Sequence, residues 1–347
     1  MDNVNLNALL RKLPKVDLHC HLDGSVRVST LLELAREQGV TLPADNEADL
    51  FRLVYAGPTC ASLVEYLRGF DITLSVLQTE AALRRVAFEL VEDCAADGVR
   101  YVEVRYAPLL HQQRGLSLEK IVEAVWSGLQ AGTKQTGVDA RMILCALRTS
   151  SSDASLETAK LCVALRQSGV VAFDLAGAEA GYPPSLHAQA FDWIHQHQLG
   201  CTIHAGEAAG ADSIAQALHP AGAQRLGHGT RLQEDAGLLV YVRDRRIPLE
   251  VCLSSNAQTK AVTSLGQHPA LQYHRAGVVV TLNTDNRLIT HTTMTQELAV
   301  CKDVLGASME ELHAMVLAGV QAAFLPWPQR QILASEIDEA WSRGLSS

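Results

Sequence analysis

Eight short apolar runs recur along the chain, each closed by small or polar residues: 15–21, 98–108, 139–148, 169–177, 200–207, 224–229, 247–256 and 277–285. Several begin at a glycine, as at Gly98, Gly169, Gly200 and Gly277, where a preceding helix is expected to stop. Segments with helical spacing lie between them, for example 156–167 and 185–198. Near-continuous apolar strands alternating with helices build a parallel sheet covered by helices. Eight such units in 347 residues fit a (β/α)8 barrel, which needs about 250 residues before insertions. An open doubly wound sheet is the competing architecture. It would carry a glycine-rich phosphate loop after its first strand, and neither GxGxxG nor GxxxxGK[ST] occurs.

Two stretches exceed what a bare barrel needs. Residues 22–97, between the first and second strands, are long enough for several helices and are expected to cover the C-terminal mouth as a candidate lid. Residues from about 287 to 347 read as further helices packing over the barrel, so 1–347 is expected to be one domain. With 29 basic against 38 acidic residues, the net charge of −9 excludes a broad surface for nucleic acid or anionic membrane. Residues 1–12 lack the apolar core of a secretory signal, and the apolar stretch 314–327 is short and interrupted by Gln321 and Pro326. The eight cysteines include no CxxC pair, and Cys145, Cys201 and Cys252 read as reduced core thiols. The expectation is a cytoplasmic protein acting on a small molecule.

In a barrel, chemistry belongs at the C-terminal ends of the strands. The first run ends Val16-Asp17-Leu18-His19-Cys20-His21. Side chains at i and i+2 share a face, so His19 and His21 point inward together. His204 faces inward near the end of the fifth run, with Glu207 just beyond it at the mouth. His228 stands between two glycines at the end of the sixth, and Asp285 ends the eighth. A buried carboxylate there is costly unless it meets a cation. Taken singly, each is as readily a hydrogen-bonded core histidine or a helix cap; together, at the ends of four strands, they make a site.

His19, His21, His204 and Asp285 would form a shell of three nitrogens and one oxygen, suited to Zn2+ and acceptable to other divalent transition metals. Such a site leaves room for a water, whose pKa falls from ~15.7 towards ~7, supplying hydroxide at neutral pH. Glu207 and His228 remain beside it for proton transfer and for orienting the water. The fourth run contains no lysine to bridge a second metal, so one ion per chain is expected.

The segments KVDLHCHLDGS, IHAGEA, RLGHGT, SSN and NTD, in this order and spacing, resemble the adenosine deaminase family. The resemblance runs from about Leu13 to Leu325. It implies a mononuclear zinc aminohydrolase on a (β/α)8 barrel, with zinc on His19, His21, His204 and Asp285. It implies that Glu207 protonates purine N1, that His228 assists the attack of hydroxide on C6, and that ammonia leaves. Gly177 resembles the glycine whose backbone N–H meets purine N3, and Asp23 the residue that binds a ribose hydroxyl; His21 joins these substrate contacts. The zinc deaminases with a PCxxC motif are a different group, and that motif is absent. One departure concerns the residue after Asp285. An aspartate is frequent there and hydrogen-bonds N7, whereas this chain has Asn286 followed by Arg287. A carboxylic acid must hold its proton to donate to N7, but an amide donates without any shift. Asn286 is therefore expected to keep the contact, while Arg287 would reach towards any group added on the sugar side.

Deamination of adenosine and 2′-deoxyadenosine is thus the leading expectation. Its nearest rival is another 6-aminopurine, adenine or aminodeoxyfutalosine, and Asp23 favours a substrate with a sugar. Another metal-dependent barrel hydrolase would have less use for the acid Glu207, and a non-catalytic binding module would have no need for a complete metal shell.

Overall fold

The computed structural model describes residues 3–346; residues 1–2 and 347 of the domain expected over 1–347 lie outside them. Eight strands stand in chain order in one sheet: β1 (Lys15–His21), β2 (Val99–Tyr106), β3 (Asp139–Leu147), β4 (Val170–Ala176), β5 (Gly200–Ala205), β6 (Arg225–His228), β7 (Leu249–Val251) and β8 (Val280–Leu282). Every neighbouring pair is parallel. The circle closes beyond β8, where the Asp285 N–H donates to the His19 carbonyl and the His21 N–H to the Asp285 carbonyl, both at 2.7 Å. This is the (β/α)8 barrel that the alternation of runs implies.

The helix ends follow side-chain and backbone chemistry. Ser117, Ser151 and Thr79 each accept a backbone N–H at the start of a helix (Leu118–Thr136, Ser152–Ala164 and Glu80–Ala96). Gly98, Gly169 and Gly277 adopt positive φ just before their strands, as their sequence positions suggest. Gly200 does not. It opens β5, where an added Cβ would lie 2.8 Å from the Val171 carbonyl oxygen, so close approach is what requires it. The run 247–256 also departs from expectation. Its strand ends at Val251 and Leu253–Gln258 is a short helix, which turns Ser255 and Asn256 towards the mouth.

The 22–97 excursion comprises the helices Val28–Gln38, Glu47–Val54, Leu63–Tyr66, Gly69–Val76 and Glu80–Ala96. The last of these is an ordinary outer-layer helix packed on Leu118–Thr136. The stretch from 47 to 66 reaches the loop after β8: the Ala56 N–H donates to the Ile289 carbonyl at 3.0 Å, and the Tyr66 and Thr290 hydroxyls meet at 2.5 Å. The C-terminal helices Met309–Ala322 and Trp327–Ser346 pack at the opposite end. There the Trp341 indole donates to the Pro14 carbonyl at 2.8 Å, and the Arg225 guanidinium donates to Ala322 and lies over the Phe324 ring. Among the described residues, no helix is long and apolar enough to cross a membrane.

Gly128 and Gly132 set how closely Leu118–Thr136 approaches Glu80–Ala96. A Cβ at Gly128 would fall 2.2 Å from the Arg84 carbonyl oxygen. In an exposed helix a Gly→Ala change gains about 1 kcal/mol. Here overpacking reverses the sign, and Gly128→Ala is expected to cost about 1–3 kcal/mol of stability, read from the denaturant midpoint.

Candidate active site

The barrel interior below the mouth is filled by charges rather than hydrocarbon. Arg105 on β2 is fully buried. It donates to Asp174 on β4 at 3.0 Å, to Glu250 on β7 at 2.8 Å and to the Leu18 carbonyl at 2.6 Å. Arg225 on β6 donates to Glu250 at 2.6 Å and also pairs with Glu103. Burial alone would raise the Glu250 carboxyl, but Arg105 and Arg225 hold it well below the usual carboxylate range. These residues lie inside the apolar runs of the sequence, and their partners are too distant along the chain for spacing to reveal them.

The two carboxylates define the histidines above them. Glu250 accepts from His19 Nδ1 at 2.9 Å, and Asp174 from His204 Nδ1 at 3.0 Å. Ionised carboxylates only accept, so both Nδ1 atoms carry the proton and both Nε2 lone pairs face the mouth. His19 Nε2 is buried without a hydrogen-bond partner. His204 Nε2 stands 3.2 Å from His21 Nε2, and Asp285 Oδ1 lies 3.4 Å from His21 Nε2 and 3.5 Å from His19 Nε2. Acceptor atoms converging in this way, one of them orphaned, are what a divalent cation would satisfy. The ligand atoms of His19, His204, His228 and Asp285 lie within 4.8 Å of one another, a set that holds His228 and not the His21 named from the sequence, whose Nε2 instead stands beside His204 and Asp285. Ser255 donates to the second oxygen of Asp285 at 2.5 Å.

Glu207 lies 3.6 Å from His228 Nε2. Burial, reinforced by Asp285 and Glu179, pushes its carboxyl well above the ordinary range. Its loop is held by Glu179, whose carboxylate accepts the backbone N–H groups of Gly206, Glu207, Ala208 and Ala209 at 2.6–2.9 Å. Glu179 was not legible in the sequence, where it sits in an unremarkable loop after β4.

A pocket adjoins this cluster, lined by His21, Gly177, His204, Glu207, His228, Asp285 and Asn286, and roofed by Leu63, Tyr66, Leu67 and Phe70 of the excursion. Gly177 has φ of 93° with nothing nearer than 3.8 Å to an added Cβ, so conformation, not space, requires a glycine there. The Asn286 amide donates to the Tyr66 hydroxyl at 2.9 Å, while its Oδ1 has no partner. Asp23 is not in the lining. It is buried, with Oδ1 unpartnered, Oδ2 4.0 Å from His111 Nε2, and a carboxyl that burial pushes up to about 7. It caps no helix either, since the next one starts at Val28. Arg287 does not face the pocket. Its guanidinium turns back to Asp97 at 3.5 Å and lines a separate cavity with Arg11, Arg27 and Asp93.

Removing Arg105 would leave buried Asp174 without a guanidinium partner and Glu250 with Arg225 alone. Arg105→Met is expected to destabilise the fold by about 3–5 kcal/mol in chemical denaturation, far more than loss of a surface ion pair.

Comparison with known proteins gives a consistent result. The family model described as adenosine deaminase matches residues 14–340. Adenosine deaminase 1 of Streptomyces coelicolor is 43% identical over 343 residues, covering 94% of this chain and 87% of that protein. A probable adenosine deaminase of Dictyostelium discoideum is 39% identical over 320 residues; the match covers 92% of this chain but spans only 42% of that longer protein. The crystal structure of adenine deaminase from Arthrobacter aurescens superimposes with a TM-score of 0.88 at 26% identity, covering 96% of this chain and 99% of that one.

Proposed function

The chain belongs to the adenosine deaminase family, and we propose that its site hydrolyses adenosine and 2′-deoxyadenosine to inosine and 2′-deoxyinosine with release of ammonia. His19, His21, His204 and Asp285 would hold one divalent ion, zinc being the best match to three imidazoles and a carboxylate. When bound, such an ion supplies a water whose pKa is lowered from ~15.7 towards ~7.

The other steps belong to the protein's own groups. Burial, reinforced by Asp285 and Glu179, pushes the Glu207 carboxyl well above the ordinary range and so favours its protonated form. Glu207 delivers that proton to purine N1, which makes C6 electrophilic. Water adds at C6, the amine takes up a proton and leaves as ammonia, and a carbonyl remains. The Gly177 N–H and the Asn286 amide hold the purine edge, and His21 lines the same pocket. The whole barrel acts as a single domain, with the 22–97 excursion as cover. The observation that carries this assignment is the buried Glu207 carboxyl, pushed upward by its surroundings, beside a cluster of convergent acceptors; amide or ester hydrolysis has less use for an acid that serves a ring nitrogen.

Asp23 lies outside the pocket lining and selects no sugar there; the likeness to adenosine deaminase 1 of Streptomyces coelicolor is what favours the nucleoside over free adenine. A larger derivative gains nothing from Arg287, which faces another cavity. Adenosine is therefore the better substrate.

Zinc-replete protein is expected to convert adenosine to inosine, followed by the change in ultraviolet absorbance. Turnover of adenine with adenosine inert would transfer the assignment to the free base. Glu207→Gln should retain the metal yet lose about 100- to 10,000-fold in kcat. His204→Ala should lose the metal itself, measured as zinc per chain.

A further inference from the structure

Two of the histidines at the mouth, His19 and His204, are held by carboxylates, but His228 is not. Its Nδ1 lies 3.0 Å from the Asn256 side-chain nitrogen. The direction of that bond can be traced from a donor whose identity is certain. The backbone N–H of Ala270 points at His268 Nδ1 at 3.1 Å, so that nitrogen accepts. His268 is neutral, since burial lowers its pKa to about 3, and its proton therefore sits on Nε2. That Nε2–H donates to Asn256 Oδ1 at 3.1 Å. The Thr230 hydroxyl donates to the same oxygen at 3.0 Å. The reversed amide would set its NH2 against the His268 N–H, two donors face to face where His268, Asn256 and Thr230 are all buried. The Asn256 NH2 is thereby directed at His228 Nδ1.

We propose that Asn256 and His268 are positioning residues that lock His228 as its Nε2–H tautomer, so that it enters the site as a hydrogen-bond donor to the attacking water and not as a metal ligand or a base. The consequence for chemistry rests on the deaminase assignment above; the tautomer does not. The lock explains why four histidines meeting at one mouth take different roles. His19 and His204 hold Nδ1–H against carboxylates and offer Nε2 lone pairs. His228 offers an N–H in the same direction. Its backbone is also in the left-handed region, with φ of 63°, a conformation that a non-glycine residue seldom keeps without a constraint. The SSN segment thus acquires a purpose: Ser255 binds Asp285, and Asn256 sets His228.

The test is the tautomer itself, read by multiple-bond 1H–15N correlation on the full chain labelled with 15N-histidine and stripped of metal by a chelator. His228 would be assigned by the signal lost in His228→Gln. The expected spectrum shows Nε2–H for His228 and His268, and Nδ1–H for His19 and His204. A His228 signal of the Nδ1–H type in the unmutated protein overturns the proposal. Asn256→Asp, nearly isosteric but able only to accept, should invert His228 to Nδ1–H while zinc per chain is retained. Its kcat should fall about 100-fold or more, the scale on which a directed donor is lost. His268→Ala should mix the His228 tautomers, and His268→Gln, whose amide can still donate to Asn256, should restore the Nε2–H pattern. An Asn256→Asp protein with unchanged His228 tautomer and unchanged kcat would also reject the lock. Absence of adenosine turnover in the unmutated enzyme, with the tautomer as expected, would reject the substrate assignment alone.

Discussion

The contact on which most of this molecule depends is the forked pairing of Arg105 with Asp174 and Glu250 in the middle of the barrel. Burying two carboxylates and a guanidinium costs several kcal/mol per ion, and their mutual attraction offsets this only if the remaining lone pairs are satisfied. They are: Glu250 also accepts from Arg225, Thr202 and His19, and Asp174 from His204. The barrel core is therefore less a reservoir of hydrophobic stability, which the strand–helix interface supplies, than a rigid electrostatic floor. A well-packed apolar floor would serve stability as well or better. An ionised floor does what an apolar one cannot: its acceptors require an N–H from each histidine above, and so dictate where the opposite lone pair points.

The mouth repeats this logic with different partners. Glu179 collects four successive backbone N–H groups, which fixes the loop after β5 and places a carboxylate near Glu207. The same contact therefore orients the acid and adds to the upward shift of its carboxyl. Asn256 performs the corresponding task for His228, by donating where the carboxylates accept. Protonation state and direction at this site are set one layer away from the groups that meet the substrate.

The layout of the fold was readable because it rests on local pattern. Each apolar run contains a strand, and the residues that end strands β1, β5, β6 and β8 do converge. The supporting layer was not readable. Glu103 and Arg105 alternate with valine and tyrosine on β2, and only the closed barrel makes that face interior. Arg105 is 69 residues from Asp174 and 145 from Glu250, so spacing along the chain carries no trace of either bond. The run 247–256 misled for a related reason. Its mostly apolar character suits a strand or a buried short helix equally, and the helix is what turns Ser255 and Asn256 inward. Arg287 failed differently: its place beside Asn286 suggested the sugar, but the buried Asp97 carboxylate, which also accepts the Met294 N–H at 2.7 Å, draws its guanidinium to the far side of the loop.

Asn286 links the roof of the pocket to the purine edge it is proposed to hold. An aspartate at this position would have one proton at most to donate, and would need a raised pKa to keep it. The amide has two N–H groups at any pH, and one of them already goes to Tyr66 on the excursion. The second remains for a ring nitrogen, so the substrate contact need not break the bond that closes the roof. Gly24 makes the arrangement possible, since an added Cβ there would sit 1.7 Å from Asn286 Oδ1. Tyr66 in turn meets Thr290 on the loop that follows Asn286. Cover, amide and loop thus form one hydrogen-bonded unit, and the exchange of carboxyl for amide removes a titrating group from it without removing a donor.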